Sequence, residues 1–255
     1  MLETRTMPCL LLDDGRLVKT VKFKNPRYVG DPINAIKIYN QKEVDELILL
    51  DITATRQKRK PPFDIIEDVA SECFMPLAYG GGIRSIDDMK RIYGIGIEKI
   101  IINSYAAENS RFVRKAASEF GSQSVVVAID CKKTMFGKYA VKTINGTKDI
   151  RMDPVAYASK MQEEGAGEIV INSIDRDGTM EGYEIELMKK ITDAVTIPVI
   201  ALGGAGSVDD IEQVVKEGHV SAAAAGSLFV FQGKDLGVLI NFPTREELEA
   251  RLVQE

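Results

Sequence analysis

The chain has 255 residues, of which 45% are hydrophobic and 28% charged, and its formal net charge is −5. This composition is ordinary for a globular enzyme, and an α/β barrel commonly spans about 250 residues as one domain. A negatively charged chain lacks the basic face of a nucleic-acid-binding protein. The N-terminal segment is too short for a membrane span and lacks a signal-peptide layout. We therefore expect a cytoplasmic protein with neither a membrane nor a nucleic-acid partner.

The residues that support redox, metal or nucleophilic chemistry are few and scattered. Cys9, Cys73 and Cys131 show no CxxC spacing, which disfavours a disulfide framework. His219 is the sole histidine and lies in a predicted loop, which disfavours a Ser-His-Asp or Cys-His nucleophile. The sequence contains no zinc-ligand spacing, dinucleotide fingerprint or P-loop. We expect no metal and no cofactor.

Short apolar runs alternate with longer amphipathic runs, a pattern typical of βαβ units in a parallel sheet. The predicted strands are Met7–Leu12, Glu46–Asp51, Met75–Tyr79, Lys99–Asn103, Ser124–Asp130, Glu168–Asn172, Pro198–Leu202 and Ala222–Ala225. Helical spacing follows them, as in Ile86–Tyr93, Ser110–Phe120, Pro154–Glu164 and Ser207–Glu217. Eight strands are the number that closes a (β/α)8 TIM barrel.

Two segments interrupt this alternation. Asp13–Asp31 is long for a βα loop and is typical of a mobile lid. Lys132–Ile150 contains the turn signal Asn145-Gly146 and predicts a hairpin-like excursion.

Internal repetition favours the barrel over an open sheet. The glycine runs that begin at Gly80 and Gly203 lie 123 positions apart, as do Ser104 and Ser227. A pseudo-twofold barrel places such motifs opposite each other. We expect one domain over 1–255, with halves of approximately 1–120 and 121–245.

Glycines at the predicted strand ends point to phosphate binding. The segments Gly80-Gly81-Gly82 and Gly203–Gly206 lie where strand gives way to loop, and the absence of Cβ atoms lets backbone N–H groups approach an anion. A following helix N-terminus adds a favourable dipole. Tight turns alone would explain one such motif. Two matched motifs favour a small molecule with a phosphate at each end.

Acidic residues also lie at the predicted strand ends, where a barrel places its active site. They are Asp51, Asp130, Asp175 and Asp177. Helix capping is the simplest explanation for Asp177. Asp130 follows a wholly apolar run, which favours a catalytic acid or base. Lys19 lies in the predicted lid, where it is either a phosphate ligand or a solvated surface lysine.

The opposite barrel mouth gathers a second charged set. Arg5, Glu46, Lys99 and Glu168 each lie where a predicted strand begins. Opposite charges there would pair into a ring, because an isolated buried charge is costly. Spacing alone favours a stabilising cluster of salt bridges that seals the barrel bottom.

Six motifs together resemble the cyclase subunit of imidazole glycerol phosphate synthase, the HisF family of histidine biosynthesis. They are GDP at 30–32, DELILLDITA at 45–54, GGGIRS at 80–85, FGSQSVVVAID at 120–130, GAGEIVINSIDRDGT at 165–179 and GGAG at 203–206. The resemblance runs from residue 1 to about residue 242. It implies a lyase-type synthase subunit that works in a glutamine amidotransferase complex.

The resemblance implies roles for the matching positions. Asp130 corresponds to one catalytic carboxylate, and Lys19, Asp51 and Asp177 correspond to ligand contacts. The implied phosphate cradles are Gly81, Gly82, Asn103, Ser104, Gly203, Gly204, Gly226 and Ser227. The implied gate for ammonia from a docked glutaminase is Arg5, Glu46, Lys99 and Glu168. The chain has no glutaminase machinery of its own, so a partner subunit is implied.

The chain departs from the family at three positions near the expected ligand. Leu11 stands where the family has a second aspartate, and losing positioned acid–base chemistry costs roughly 100- to 10,000-fold in rate. Asp13 lies about 6–7 Å further along the strand and would replace that acid only if the loop folded inward. Asn172 replaces a threonine and Leu202 a serine.

Three functions follow from this pattern. The PCLLL variant resembles HisF-like proteins linked to amidation of sugars in lipopolysaccharide and other surface polysaccharides, where the barrel works with a glutaminase and a separate sugar amidotransferase. The second is the histidine-pathway cyclase itself, with Asp13 replacing the missing acid. The third is a non-catalytic scaffold that activates its glutaminase and conducts ammonia.

Overall fold

The computed structural model describes residues 4–233 and 235–252, so the ends of the predicted domain lie outside the described residues. Eight parallel strands in this part of the chain form a barrel: Arg5–Asp13, Leu47–Asp51, Leu77–Gly80, Lys99–Ile102, Val125–Lys133, Glu168–Ser173, Val199–Leu202 and Ala222–Ala225. The first strand pairs with the eighth, which closes the sheet. The predicted (β/α)8 barrel is confirmed, and only the fifth strand runs more than two residues beyond its predicted bounds.

Helices cover the outside of the barrel. They span Pro32–Gln41, Ala54–Gln57, Phe63–Glu72, Ile86–Ile95, Ser104–Glu108, Ser110–Phe120, Pro154–Glu163, Ile185–Thr192, Val208–Gly218 and Arg245–Leu252, with 3-10 turns at Ser122–Ser124 and Ser227–Phe229. Their apolar faces and the outward side chains of the strands form the larger hydrophobic core. None of the helices within the described ranges has the length and apolar character needed to cross a bilayer.

The predicted lid has regular structure. Arg16–Val21 and Lys24–Gly30 form an antiparallel hairpin, and the first of these strands pairs with the end of the first barrel strand, Leu11 opposite Val18. The prediction of a long loop over Asp13–Asp31 was therefore wrong. A signal was present in RLVKTV, which contains the β-branched residues typical of strands and whose four central residues are buried. The pattern of a parallel barrel obscured this antiparallel addition.

The predicted second excursion is confirmed as a hairpin. The fifth barrel strand continues to Lys133 and pairs antiparallel with Tyr139–Thr143, which pairs in turn with Lys148–Asp149. Asn145 and Gly146 have φ of 54° and 76°, the left-handed pair that an Asn-Gly turn supplies. Phe231–Gln232 and Gly237–Val238 form a separate small sheet.

The barrel interior is layered because side chains two residues apart share one face of a strand. The sixth strand shows the order: Glu168 at the bottom, Val170 in the middle and Asn172 at the top. Buried apolar residues from all eight strands fill the middle layer, among them Met7 and Ile101. A charged layer therefore lies below an apolar one, and polar groups lie above it.

Candidate functional site

A single cavity at the C-terminal ends of the strands collects the predicted ligand-binding set. Its lining includes Lys19, Asp51, Gly81, Gly82, Asn103, Ser104, Asp130, Asn172, Asp177, Gly203, Gly204, Gly226 and Ser227. Leu11 and Leu202 line it too, whereas Asp13 is not among the lining residues. Asp13 instead lies opposite Arg16 where the first hairpin leaves the barrel strand. The hairpin holds Asp13 away from the cavity, so the inward fold required for substitution is not seen.

Asp130 is the titratable group at the centre of this cavity. It lies deep in the barrel with part of its surface open to the cavity, and Asn103 Nδ2 donates to its Oδ2 over 3.1 Å. Burial raises the pKa of Asp130 to about 7, against the lowering effect of the Asn103 hydrogen bond, and the Asp177 charge raises it further. A carboxyl group with a pKa near neutrality can both accept and give up a proton at working pH.

The wall opposite Asp130 carries no acid. Leu11 lies on the first strand in register with Leu50 of the second, and both side chains line the cavity. Asn172 lies beside Asp130 in the pairing of the fifth and sixth strands. Its Oδ1 is buried without a hydrogen-bond partner among the described residues. This part of the cavity therefore combines an apolar wall with the Asp130 carboxyl group and an unsatisfied amide oxygen.

Asp177 fastens the first hairpin over the cavity. Its Oδ2 accepts hydrogen bonds from Thr20 Oγ1 at 2.8 Å and from the Phe23 backbone N–H at 3.1 Å. Burial raises the pKa of Asp177, and these donors and the nearby Lys19 lower it in part. Because the contacts reach across to the hairpin, Asp177 does not act as the helix cap expected from sequence.

Lys19 points inward from the same hairpin. Its Nζ donates to the Cys9 carbonyl oxygen and lies directly against Gly226, where any side chain would collide with it. Burial lowers the pKa of Lys19, while Cys9 and Asp177 raise it. Lys19 is thus a buried amine beside one predicted phosphate cradle and is not a surface lysine.

Asp51 is held by its own loop. Its Oδ1 accepts from the backbone N–H groups of Thr53 and Ala54, both at 2.9 Å, and its Oδ2 lies 2.8 Å from Arg59 Nη1. Sequence reasoning missed Arg59 and these capping contacts. They commit most of the hydrogen-bonding capacity of Asp51 to the protein, which makes Asp51 a residue that shapes the cavity wall.

The glycine segments have the backbone that an anion cradle needs. Gly203 and Gly204 have φ of 93° and 114°, and Gly81 and Gly82 have φ of 134° and 71°. A Cβ on Gly203 would lie 2.7 Å from Asn172 Oδ1. Neither conformation nor space admits a side chain at these positions.

The end of the glycine segment Gly203–Gly206 already binds a carboxylate of the protein. Asp210 Oδ2 accepts the N–H groups of Gly206 and Ser207, at 2.8 and 2.9 Å. Ser207 Oγ accepts in return from Asp210 N, completing a capping box at the helix that begins at Val208. Anion binding at this rim is therefore restricted to the groups nearer Gly203 and Gly226.

The charged residues at the opposite mouth form a closed ring of ion pairs. Arg5 lies 2.5 Å from Glu46 and 2.9 Å from Glu168, and Lys99 lies 3.0 Å and 3.1 Å from the same two carboxylates. Burial lowers the pKa of Arg5, but Glu168 and Glu46 together raise it above its ordinary value. Each charge thus has two partners of opposite sign directly below the apolar layer.

Two further cavity contacts escaped prediction. Phe23 lines the cavity from the first hairpin and Asn145 from the second, and Asn145 Nδ2 donates to the Ile52 carbonyl oxygen at 2.6 Å. Both belong to antiparallel additions whose position over the barrel depends on long-range packing. Among the described residues, no group of three His, Cys, Asp or Glu side chains could hold a metal ion.

Comparison with known proteins identifies similar sequences along nearly the whole chain. The model of the family described as "Histidine biosynthesis protein" matches residues 5–235. Three relatives share the printed description "Putative imidazole glycerol phosphate synthase subunit". The Pseudomonas aeruginosa protein, hisF2, is 51% identical over 249 residues, which cover 98% of this chain and 99% of that protein.

The other two relatives are similar to the same extent. The Leptospira interrogans HisF protein is 49% identical over 98% of this chain and 99% of its own length. The Vibrio vulnificus hisF3 protein is 48% identical over 99% of this chain and 97% of its own.

Proposed function

Because the chain belongs to the histidine biosynthesis protein family, as a HisF-like synthase subunit, we propose that it delivers ammonia for the amidation of a sugar in surface-polysaccharide synthesis. In this proposal a glutaminase subunit docks at the N-terminal mouth and releases ammonia at the ring of Arg5, Glu46, Lys99 and Glu168. Ammonia then crosses the barrel to the C-terminal cavity, where a separate sugar amidotransferase uses it.

The observation that carries this proposal is the leucine at position 11. Leu11 lines the cavity on the first strand, whereas Asp130 remains on the fifth. The HisF resemblance calls for two carboxyl groups there, one to take a proton and one to give it. The charged ring and both glycine cradles remain, so the parts suited to ammonia entry and anion binding are better preserved than the acid–base pair.

The apolar middle layer supports passage of a neutral molecule. Side chains such as Met7, Ile101 and Val170 fill it, and burying an unpaired charge among them would be costly. The apolar layer would therefore exclude charged ammonium and let neutral ammonia pass. Delivery through the barrel also protects ammonia from protonation and dilution in bulk water.

A second candidate function is the histidine-pathway cyclase. Asp130, with its pKa of about 7 and its hydrogen bond from Asn103, favours it, because one competent acid–base group survives. A third candidate is a scaffold that conducts ammonia and performs no chemistry itself. Replacing Asp130 with Asn distinguishes the cyclase from both ammonia-conducting candidates, since a conduit would lose no amidation activity.

The decisive assay supplies purified protein with ammonium and the histidine-pathway substrate. We expect no cyclase turnover from the natural chain, and we expect stimulated glutamine hydrolysis when the glutaminase encoded beside it is added. Turnover near that of an ordinary cyclase would contradict the proposal, as would a gene neighbourhood without a sugar amidotransferase.

A matched pair of variants tests whether Leu11 is the cause. Leu11→Asp restores the second acid, and Leu50→Asp places the same carboxyl group on the neighbouring strand of the cavity wall. We expect Leu11→Asp alone to create measurable cyclase turnover. If neither variant shows cyclase turnover, Asn172 and Leu202 would be the residues that prevent the reaction.

A further inference from the structure

The tip of the second hairpin exposes a large apolar surface. Met135 is 100% exposed and Phe136 is 93% exposed. They occupy the centre of a tight turn in which Gly137 N donates to Thr134 O at 3.0 Å. Polar residues and glycine usually fill such turns. A fully exposed Met-Phe pair contributes nothing to the core, so it calls for another role.

The hairpin that carries this tip extends from the C-terminal end of the fifth barrel strand, the end at which the cavity opens. The fifth barrel strand runs past Asp130 to Lys133 and forms the first arm of the hairpin. There Lys133 N donates to Asp175 Oδ2 at 2.7 Å. The far end of the hairpin reaches back over the cavity, where Ile144 N donates to Ser104 Oγ at 3.0 Å. A backbone anchored along both arms loses little conformational freedom on binding, so the main ordering cost is that of the side chains at the tip.

The hairpin is also strongly basic. One carboxylate, Asp149, lies between positions 132 and 151. The cations in the same span are Lys132, Lys133, Lys138, Lys142, Lys148 and Arg151. This excess of positive charge occurs in a chain of net charge −5. The three lysines nearest the tip are exposed. Lys133 lies 3.8 Å from Glu184, so Lys132 and Lys138 are the cations that flank the apolar pair.

We propose that this hairpin docks the ammonia-using enzyme, through an apolar pocket on that enzyme surrounded by acidic side chains. The inference rests on the proposed function, because it places the acceptor where ammonia leaves the barrel. Phe136 and Met135 anchor the contact, since buried aromatic side chains at interface centres carry most of the binding energy. Lys132 and Lys138 steer the acidic partner to the mouth.

The test uses the sugar amidotransferase that the proposed function predicts in the gene neighbourhood, and it measures direct binding of the full chain to that enzyme. The double change Met135→Ser with Phe136→Ser should weaken binding by roughly ten-fold or more. Phe74→Ser is the matched control, because Phe74 is 84% exposed but precedes the third strand at the opposite mouth. It should bind the amidotransferase as the natural chain does.

Salt tests the electrostatic part. Raising NaCl from about 50 to 500 mM should weaken binding by the natural chain, because exposed charges are screened. Lys132→Glu with Lys138→Glu should slow association. Binding that ignores both changes would overturn the proposed acidic partner surface.

Two activity readouts separate this inference from the proposed function. The tip variant should lose glutamine-driven sugar amidation, while it stimulates the glutaminase normally and the amidotransferase keeps its activity with ammonium salt. Binding unchanged in the tip variant would overturn the docking surface alone. A natural chain that neither stimulates the glutaminase nor supports amidation would overturn the proposed function.

The same tip variant tests whether the tip binds something other than the amidotransferase. Loss of binding to vesicles of phosphatidylcholine and phosphatidylglycerol, without any effect on the amidotransferase, would assign the tip to a membrane surface and overturn the proposal. Loss of self-association in sedimentation velocity would assign it to a second copy of the chain, with the same consequence.

Discussion

The two mouths of the barrel handle buried charge in opposite ways. At the bottom, Arg5 and Lys99 each contact both Glu46 and Glu168, so every charge is balanced within the ring. At the top, Asp130 has a raised pKa, and Asn172 Oδ1 has no partner among the described residues. The balanced ring satisfies its own charges within the protein, whereas the unbalanced groups remain available for a ligand.

The largest expected effect comes from breaking the ring. Lys99→Met leaves Glu46 and Glu168 with Arg5 as their only ring partner, and removing one member of a buried ion-pair network should lower the free energy of unfolding by about 3–4 kcal/mol. Urea denaturation measures it. Lys90→Met is the control, because the Lys90–Glu119 pair is exposed and an exposed ion pair adds far less stability than a buried one. Equal losses would mean that the ring is no more than a surface cluster.

A smaller effect on stability is expected in the glycine segment Gly203–Gly206. Gly204→Ala forces a side chain into a φ of 114° and against the Gly182 carbonyl oxygen, which should cost about 2–3 kcal/mol of unfolding free energy. Gly94→Ala is the matched control, since Gly94 lies in a helix and the space where a Cβ would lie is open. It should stabilise the protein by about 0.5–1 kcal/mol. If Gly204→Ala left the unfolding free energy unchanged, the backbone at position 204 would not require glycine.

The pH dependence of stability tests the unbalanced carboxyl group. Native Asp130 keeps its proton up to about pH 7, whereas the unfolded carboxyl group loses it near pH 4. Ionisation therefore favours unfolding, and stability should fall as pH rises between these values. Water reaching Asp130 from the cavity limits the loss to about 2 kcal/mol.

Asp130→Asn isolates this effect. The variant should be more stable than the natural chain at pH 8 and about equal to it near pH 4, as measured by urea denaturation. Asp149→Asn, at an exposed position, should change stability by no more than about 0.5 kcal/mol at either pH. A constant offset between the Asp130→Asn variant and the natural chain would show that Asp130 does not titrate in this range.

The smallest expected effect sharpens the contrast between structural and available groups. Met135→Ser with Phe136→Ser should change the free energy of unfolding by less than about 0.5 kcal/mol, because both side chains are exposed. Differential scanning calorimetry measures it. A loss comparable with Gly204→Ala would mean that the tip packs against the protein in solution.

The barrel and most of its site were predictable because both follow short periods. Lys99, Ile101 and Asn103 are two residues apart, so one inward face carries the ring, the apolar layer and the cavity in order. The glycine repeat then placed two strand ends across from each other. These signals lie within single strands and need no knowledge of tertiary packing.

The misses involve contacts between distant segments. No local pattern places Thr20 against Asp177, 157 positions away, or shows that Arg59 will hold Asp51. The antiparallel hairpin over Asp13–Asp31 was hidden by the expectation of a parallel barrel. Its pairing with the first strand also removed Asp13 from the cavity, a result that depends on register and not on composition.

The position of Lys19 has a consequence for anything that binds beside it. Its amine is already seated against Gly226, so an incoming phosphate meets a stationary donor, and no side chain has to swing into place. Burial depresses the pKa of that amine, and a neighbouring anion would raise it again. An anion bound in this corner would therefore give the buried amine a partner of opposite charge and strengthen its hold on its proton.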